Sequence, residues 1–275
     1  HPDWFDKSAG LIAHYDFKYQ NGKTVHRYKD IDKLKREAEE YGLDHILLSG
    51  WHKDGFDNGF PLYTADDDLG SEEELAAGVK SNGGMHVSLY VNSRLCNTKY
   101  EDISKNAVRN YSGEPRIEKY GDDNLSFGVM CPGSVDWRDR MSKIADNIKN
   151  NYGAAGIYLD ELSSSPVNCF AKEHNHRHDM WCDGTKQLID AIADGKLCLM
   201  GEFVCDEYGS MISGQLMQSF YKLKVGAFPE MYRYTFPEHI IIDMLYPGRN
   251  LAMRPVFVAQ SSDYLMRSLF VNGCY

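Results

Sequence analysis

The stretch that most constrains this chain is Gly156-Ile-Tyr-Leu-Asp-Glu161. Ile157, Tyr158 and Leu159 form a short apolar run that ends on a carboxylate, Asp160. The run reads as a buried strand, and in parallel α/β folds the C-terminal tip of a strand faces the crevice where ligands bind. A second apolar run, Leu197-Cys-Leu-Met-Gly-Glu202, also ends on an acid, 42 residues beyond Asp160. That interval holds a loop, one helix and the next strand. Two carboxylates on adjacent strand tips suit a general acid working with a nucleophile or base. A strand-end acid can also cap the following helix or pair with an arginine.

The flanking sequence repeats one rhythm. Residues 11–17 read as a first strand, with Tyr15 and Asp16 at its rim. Residues 30–41 carry Ile31, Leu34, Ala38 and Tyr41 near helical spacing, and Gly42 stops the helix. Residues 45–51 form the second strand. Ser71 with Glu74 opens a helix as a capping box, Gly83-Gly84 stop it, and residues 85–92 are the third strand. Residues 134–150 are helical, with Val135, Met141, Ile144 and Ile148 on one face. They lead into 156–161 as the fourth strand; residues 183–193 are the next helix, and residues 197–203 are the fifth strand. Further on, residues 211–224 read as helix, 225–229 as a sixth strand, 239–246 as ambiguous between strand and helix, and 255–260 as a strand. Alternating strands and helices argue for a parallel sheet. The fold expected is α/β: a (β/α)8 TIM barrel, incomplete at its C-terminal end, with long loops after strands three and four.

At 275 residues the chain fits one such barrel, residues 1–275, or two smaller domains. A net charge of −10 and the lack of a basic block argue against nucleic acid or an anionic membrane as partner, and no apolar run approaches a membrane span. Seven cysteines cannot all pair within the chain, which favours a reducing, cytoplasmic setting over a secreted one. The start at His1 without Met, and an end without a terminal helix, point to a piece of a longer protein.

Several loop residues are candidates for contact with substrate. Trp51, Asp54 and Asp57 lie in a Gly- and Asp-rich loop after the second strand, where a barrel builds its site. Asn92 and Arg94 fall at the third strand's tip; Arg94 either holds a carboxylate or binds substrate, or is a structural partner. Asp66-Asp-Asp68 lacks the spacing of a calcium loop and reads as a solvated turn. Arg233 is placed at the mouth. Residues 95–134 break the rhythm and suggest a small insertion. His174, His176 and His178 lie between Cys169 and Cys182. Their alternate spacing converges on one metal only in an extended or irregular segment, and the cysteines are not paired as CxxC. His176 and His178 are therefore assigned to substrate contact, with no metal and no cofactor.

In order along the chain, DHILLSGWHKDGFDNGFP, VSLYVNSRL, GIYLDE, HNHRHDMW and GEFVCDEY together resemble a family of bacterial glycosidase-like barrels largely of unknown function. That family is distantly similar to endo-α-N-acetylgalactosaminidases and α-amylase-type retaining enzymes. The resemblance spans about residues 11–235. It implies a glycoside hydrolase acting on an oligosaccharide or glycoside, with Asp160 as nucleophile and Glu202 as acid/base. The later strands depart from the family pattern.

Glu202 should be less exposed than Asp160, as a working acid needs a raised pKa. Arg94, Tyr15 or Asp16 would keep Asp160 ionised, and Trp51 would offer a stacking face to a sugar. Strand alternation points Glu161 away from Asp160. The rivals are a non-catalytic carbohydrate-binding barrel with separated carboxylates, and a zinc-dependent hydrolase using His174, His176 or His178.

Overall fold

The computed structural model describes residues 2–8, 12–80, 84–100, 103–119, 125–193, 195–203, 205–217, 232 and 235–243. Seven strands of one sheet are all parallel and lie side by side in chain order: β1 (Ala13–Asp16), β2 (His45–Ser49), β3 (His86–Asn92), β7 (Gly156–Asp160), β8 (Cys198–Glu202), β9 (Gly214–Met217) and β10 (Ile241–Asp243). Three short antiparallel strands, β4 (Leu95–Asn97), β5 (Ile117–Glu118) and β6 (Phe127–Val129), form a separate sheet between β3 and β7. This is the insertion expected where the rhythm fails.

The helices are α1 (Asp3–Lys7), α2 (Ile31–Glu40), α3 (Glu72–Val79), α4 (Val135–Asn150) and α5 (Trp181–Ile192). The start of α3 and the buried stripe of α4 illustrate how sequence sets them. Ser71 Oγ accepts the Glu74 N–H at 3.2 Å, and the Glu74 carboxylate accepts the Ser71 N–H at 2.9 Å, completing the capping box of α3. In α4 the buried stripe is Trp137, Met141, Ala145 and Ile148. Val135, assigned to that stripe from spacing, stands exposed in the first turn.

The sheet is curled. Phe5 of α1 packs edge-on against His45 of β2 at 6.1 Å between rings. Its ring tip also lies 3.3 Å from where a Cβ on Gly214 of β9 would stand. Four strand intervals separate β2 from β9, about 19 Å in a flat sheet, so only curvature brings both to one side chain. Trp4 stacks on His86 at 3.8 Å, and α1 thus closes the N-terminal end of the curl. Gly156 begins β7 where a Cβ would meet Ser88 Oγ at 2.4 Å and the Cys198 carbonyl at 2.7 Å, so glycine is what lets β3, β7 and β8 close up.

Two expectations change. The described strands build a half-barrel; a closed eight-stranded barrel is not among them, and the candidate strands at 225–229 and 255–260 lie outside the described residues. Helix was expected from 211 onward, yet residues 214–217 form β9. Pairing with β8 on one side and β10 on the other outweighs the local pattern of that segment. The ambiguous run after His239 resolves to strand at Ile241–Asp243. Among the described residues no helix is long and apolar enough to cross a membrane.

Candidate active site at the strand tips

Register places the site. Asn92 at the end of β3 pairs with Asp160 at the end of β7, and the next strand, β8, ends on Glu202. Within each strand the residues two positions apart share a face, so Tyr90 and Asn92 face Asp160 together. The Tyr90 hydroxyl and the Asn92 amide both donate to Asp160 Oδ2, the amide at 2.9 Å. Ser93 Oγ and the Ser93 N–H hold the Asp160 carbonyl at 2.9 and 3.0 Å.

The carboxyl groups of Asp160 and Glu202 hydrogen-bond each other. The proton is favoured on Glu202 over Asp160. Burial first, then the charge of Asp160 and the bond to it, push Glu202 up to about 9. Burial also raises Asp160, opposed by donation from Tyr90, Glu202 and Asn92. Two carboxyls this close cannot both ionise readily, so they hold one proton between them. Both are half-buried. The donors aimed at Asp160 favour its ionised form.

Glu161 overturns the alternation argument. Its φ of +56° ends the strand, so period-two geometry no longer applies. Its N–H donates to Glu202 Oε2 at 3.1 Å, and its carboxylate accepts from Asn92 at 3.2 Å and Arg94 at 3.4 Å. Asp57 joins the group from the loop after β2. Burial and then the charges of Asp160 and Glu161 push it up to about 7. Four acids therefore meet at one place, two of them with strongly raised affinity for a proton.

The other candidates sort by position. Arg94 is buried, grips Glu118 through two nitrogens at 2.7 and 2.8 Å, and reaches the site through Glu161, 3.4 Å away. Trp51 is fully buried; its indole donates to the Tyr90 carbonyl at 2.9 Å, and it presents no face to solvent. The strand tip turns it inward beneath Tyr90, where it supports the site from below. Asp54 hydrogen-bonds the Tyr100 hydroxyl, while its own N–H donates to Asp66 at 2.9 Å. Asp66 itself is buried and binds Lys18 at 2.9 Å, against the solvated turn expected there. Asp16 ends β1 beside His14, 3.8 Å away, and the Tyr15 hydroxyl donates to the Leu34 carbonyl at 3.4 Å, toward α2. Arg233 lies outside the described residues.

His176 and His178 follow other partners. His178 stacks on Phe170 at 5.5 Å. His176 and His174 turn into a cluster with Cys131 and Cys169. Tyr90 is a further residue of the site, and its place two residues before Asn92 on the same strand face is the sequence signal for it.

Residues 1–234 match the family described as Domain of unknown function (DUF6259). The chain belongs to this family. It is 28% identical over 148 residues to a Bacteroides thetaiotaomicron protein named "Putative glycoside hydrolase", covering 50% of this chain and 22% of that protein. It is 25% identical over 180 residues to a Monosiga brevicollis protein named "Putative glycoside hydrolase 22789", covering 54% of this chain and 15% of that one. Among solved structures, α-N-acetylgalactosaminidase NagBb from Bifidobacterium bifidum superposes with a TM-score of 0.75 at 18% identity, over 98% of this chain and 48% of that one. The α-amylase AmyB from Thermotoga neapolitana gives 0.57 at 13% identity, over 94% and 63%. At such identities the structures speak for the fold. The DUF6259 chain thus spans about a fifth of the first curated relative and about half of NagBb. The family resemblance read from the motifs is borne out, since these relatives and neighbours are named as glycoside hydrolases.

Proposed function

We propose that the chain is the catalytic barrel of a glycoside hydrolase that works with retention, with Asp160 as nucleophile and Glu202 as acid/base. The observation that carries this reading is the pairing of the two carboxyls: Glu202, whose proton affinity is raised, hydrogen-bonds an Asp160 that receives two further donors, Tyr90 and Asn92. An acid catalyst must hold its proton near neutral pH, and a nucleophile must not. Asp160 attacks the anomeric carbon while the proton of Glu202 goes to the leaving oxygen. A glycosyl ester forms on Asp160, and Glu202, now ionised, takes a proton from the water that hydrolyses it.

The hydrogen bond between the two carboxyls supports the closer pairing of a retaining enzyme, since an inverting pair stands roughly 6.5–9.5 Å apart to leave room for water. The same contact disfavours a purely carbohydrate-binding barrel with its carboxylates apart. Asp54 and Asp57 are the proposed acceptors for sugar hydroxyls. Relatives named for glycoside hydrolysis, and neighbours that act on α-linked sugars by name, support a glycoside substrate.

The test is a panel of aryl α- and β-glycosides, N-acetylgalactosaminides included, with the parent and the Asp160→Asn and Glu202→Gln variants. Turnover by the parent that both variants lose while staying folded is the expected result. Parent-like turnover in either variant would remove that residue from its role.

A further inference from the structure

We propose that Cys131, Cys169, His174 and His176 form a closed structural zinc site, independent of the hydrolytic chemistry. Their ligand atoms, two sulfurs and two ring nitrogens, all lie within 4.8 Å of one another. Cys131 Sγ is 3.2 Å from His176 Nε2, and Cys169 Sγ is 3.5 Å from His174 Nδ1. Zinc bonds of about 2.3 Å to sulfur and about 2.0–2.1 Å to nitrogen set a sulfur–nitrogen edge of about 3.6 Å in a tetrahedron. These two sulfur–nitrogen pairs are within a few tenths of an ångström of that edge.

The rings are also oriented for a metal. The nitrogen of His174 facing away from the cluster, Nε2, lies 2.9 Å from the Lys105 carbonyl, and Nδ1 of His176 lies 2.7 Å from the Arg177 carbonyl. A carbonyl accepts only, so each outer nitrogen carries the hydrogen and each inner one turns a lone pair to the cluster. This is the arrangement a metal-bound histidine needs.

The backbone explains how alternate histidines converge. A single 3-10 turn, residues 172–174, is followed by Asn175 at φ +51°, which reverses the chain and brings both rings to one side. The Cys131 N–H donates to the Asn106 carbonyl and the Cys169 N–H to the His178 carbonyl, each at 2.8 Å. A Cβ on Gly133 would stand 2.6 Å from His176 Cδ2, so the glycine makes room for the ring. Both cysteines are buried free thiols. Two thiolates and two neutral imidazoles cancel the charge of Zn²⁺, which suits a buried place. Four protein ligands leave no open position, so the ion is a clamp and not a Lewis acid for substrate.

The clamp has a specific use. Cys131 follows β6, whose neighbour β5 carries Glu118, the partner of Arg94 beside Glu161. Cys169, His174 and His176 belong to the loop that leaves β7 just after the catalytic tip. Zinc would tie the insertion to that loop and fix one wall of the acidic site.

The test is elemental analysis of the full chain, purified under reducing conditions without chelator, together with zinc-edge X-ray absorption. One zinc per chain with two sulfur and two nitrogen neighbours is expected. Cys131→Ser and His176→Ala should lose the metal, and His178→Ala should keep it. Should the ligand variants fail to fold, the parent's stoichiometry and its coordination shell decide alone. Background metal that added zinc does not raise, a Cys131–Cys169 disulfide in the parent, or a shell without sulfur would each overturn the proposal.

Discussion

Glu202 and Asp160 hydrogen-bond across neighbouring strand tips, and burial together with the charge of Asp160 raises the proton affinity of Glu202. The geometry has a cost in stability that can be read with pH. From the ordinary glutamate range up to about 9, the folded chain keeps a proton that the unfolded chain has released. Stability therefore falls as pH rises through that window. Glu202→Gln keeps a neutral donor and removes the linkage. The variant should be more stable than the parent by roughly 1–3 kcal/mol at about pH 8, with the gain shrinking toward about pH 4. Urea unfolding at several pH values measures it; a pH-independent difference would contradict a raised Glu202.

Asn92 should act on Asp160 in the opposite sense. Its amide at 2.9 Å favours the ionised form. Asn92→Ala should raise the Asp160 pKa, so the acid limb of the kcat/KM profile moves to higher pH. A lost bond to a charged group is worth about 1.5–3 kcal/mol, or roughly a 10- to 100-fold fall in kcat/KM. An unmoved acid limb would mean that Asn92 serves only to cap the turn at Arg94 and Leu95, whose N–H groups its other side-chain atom accepts.

Trp51 separates a core role from a sugar platform. Fully buried, it should cost about 3–5 kcal/mol when cut to alanine. Trp51→Phe loses the bond to the Tyr90 carbonyl, about 1 kcal/mol, and part of the buried ring volume, and should leave KM unchanged. A large rise in KM with unaltered unfolding would restore the stacking role.

Elements whose structure is local were legible in the sequence. The strand ending on Asp160, the strand ending on Glu202, the capping box at Ser71 and the helix leading to β7 all follow from runs of residues that decide their own geometry. Asn92 was legible for the same reason, as a tip residue. What escaped depends on distant pieces. Glu161 turns back into the site because one residue adopts a positive φ, which period-two reasoning cannot see. Trp51 looked like rim and is core because β3 packs over it. The Cys/His cluster escaped because Cys131 stands 38 residues before Cys169 and reaches it only through the folded insertion. β9 looked helical because its neighbours, not its own pattern, make it a strand.

The central claim is that Asp160 is the group that bonds to sugar. The most direct measurement traps the glycosyl–enzyme with a fluorinated glycosyl fluoride of the sugar selected by the aryl-glycoside panel, followed by digestion and peptide mass spectrometry. The account predicts one added glycosyl mass on the peptide carrying Asp160, absent in Asp160→Asn. A label on another residue, or turnover that releases inverted product with no label at all, would contradict it.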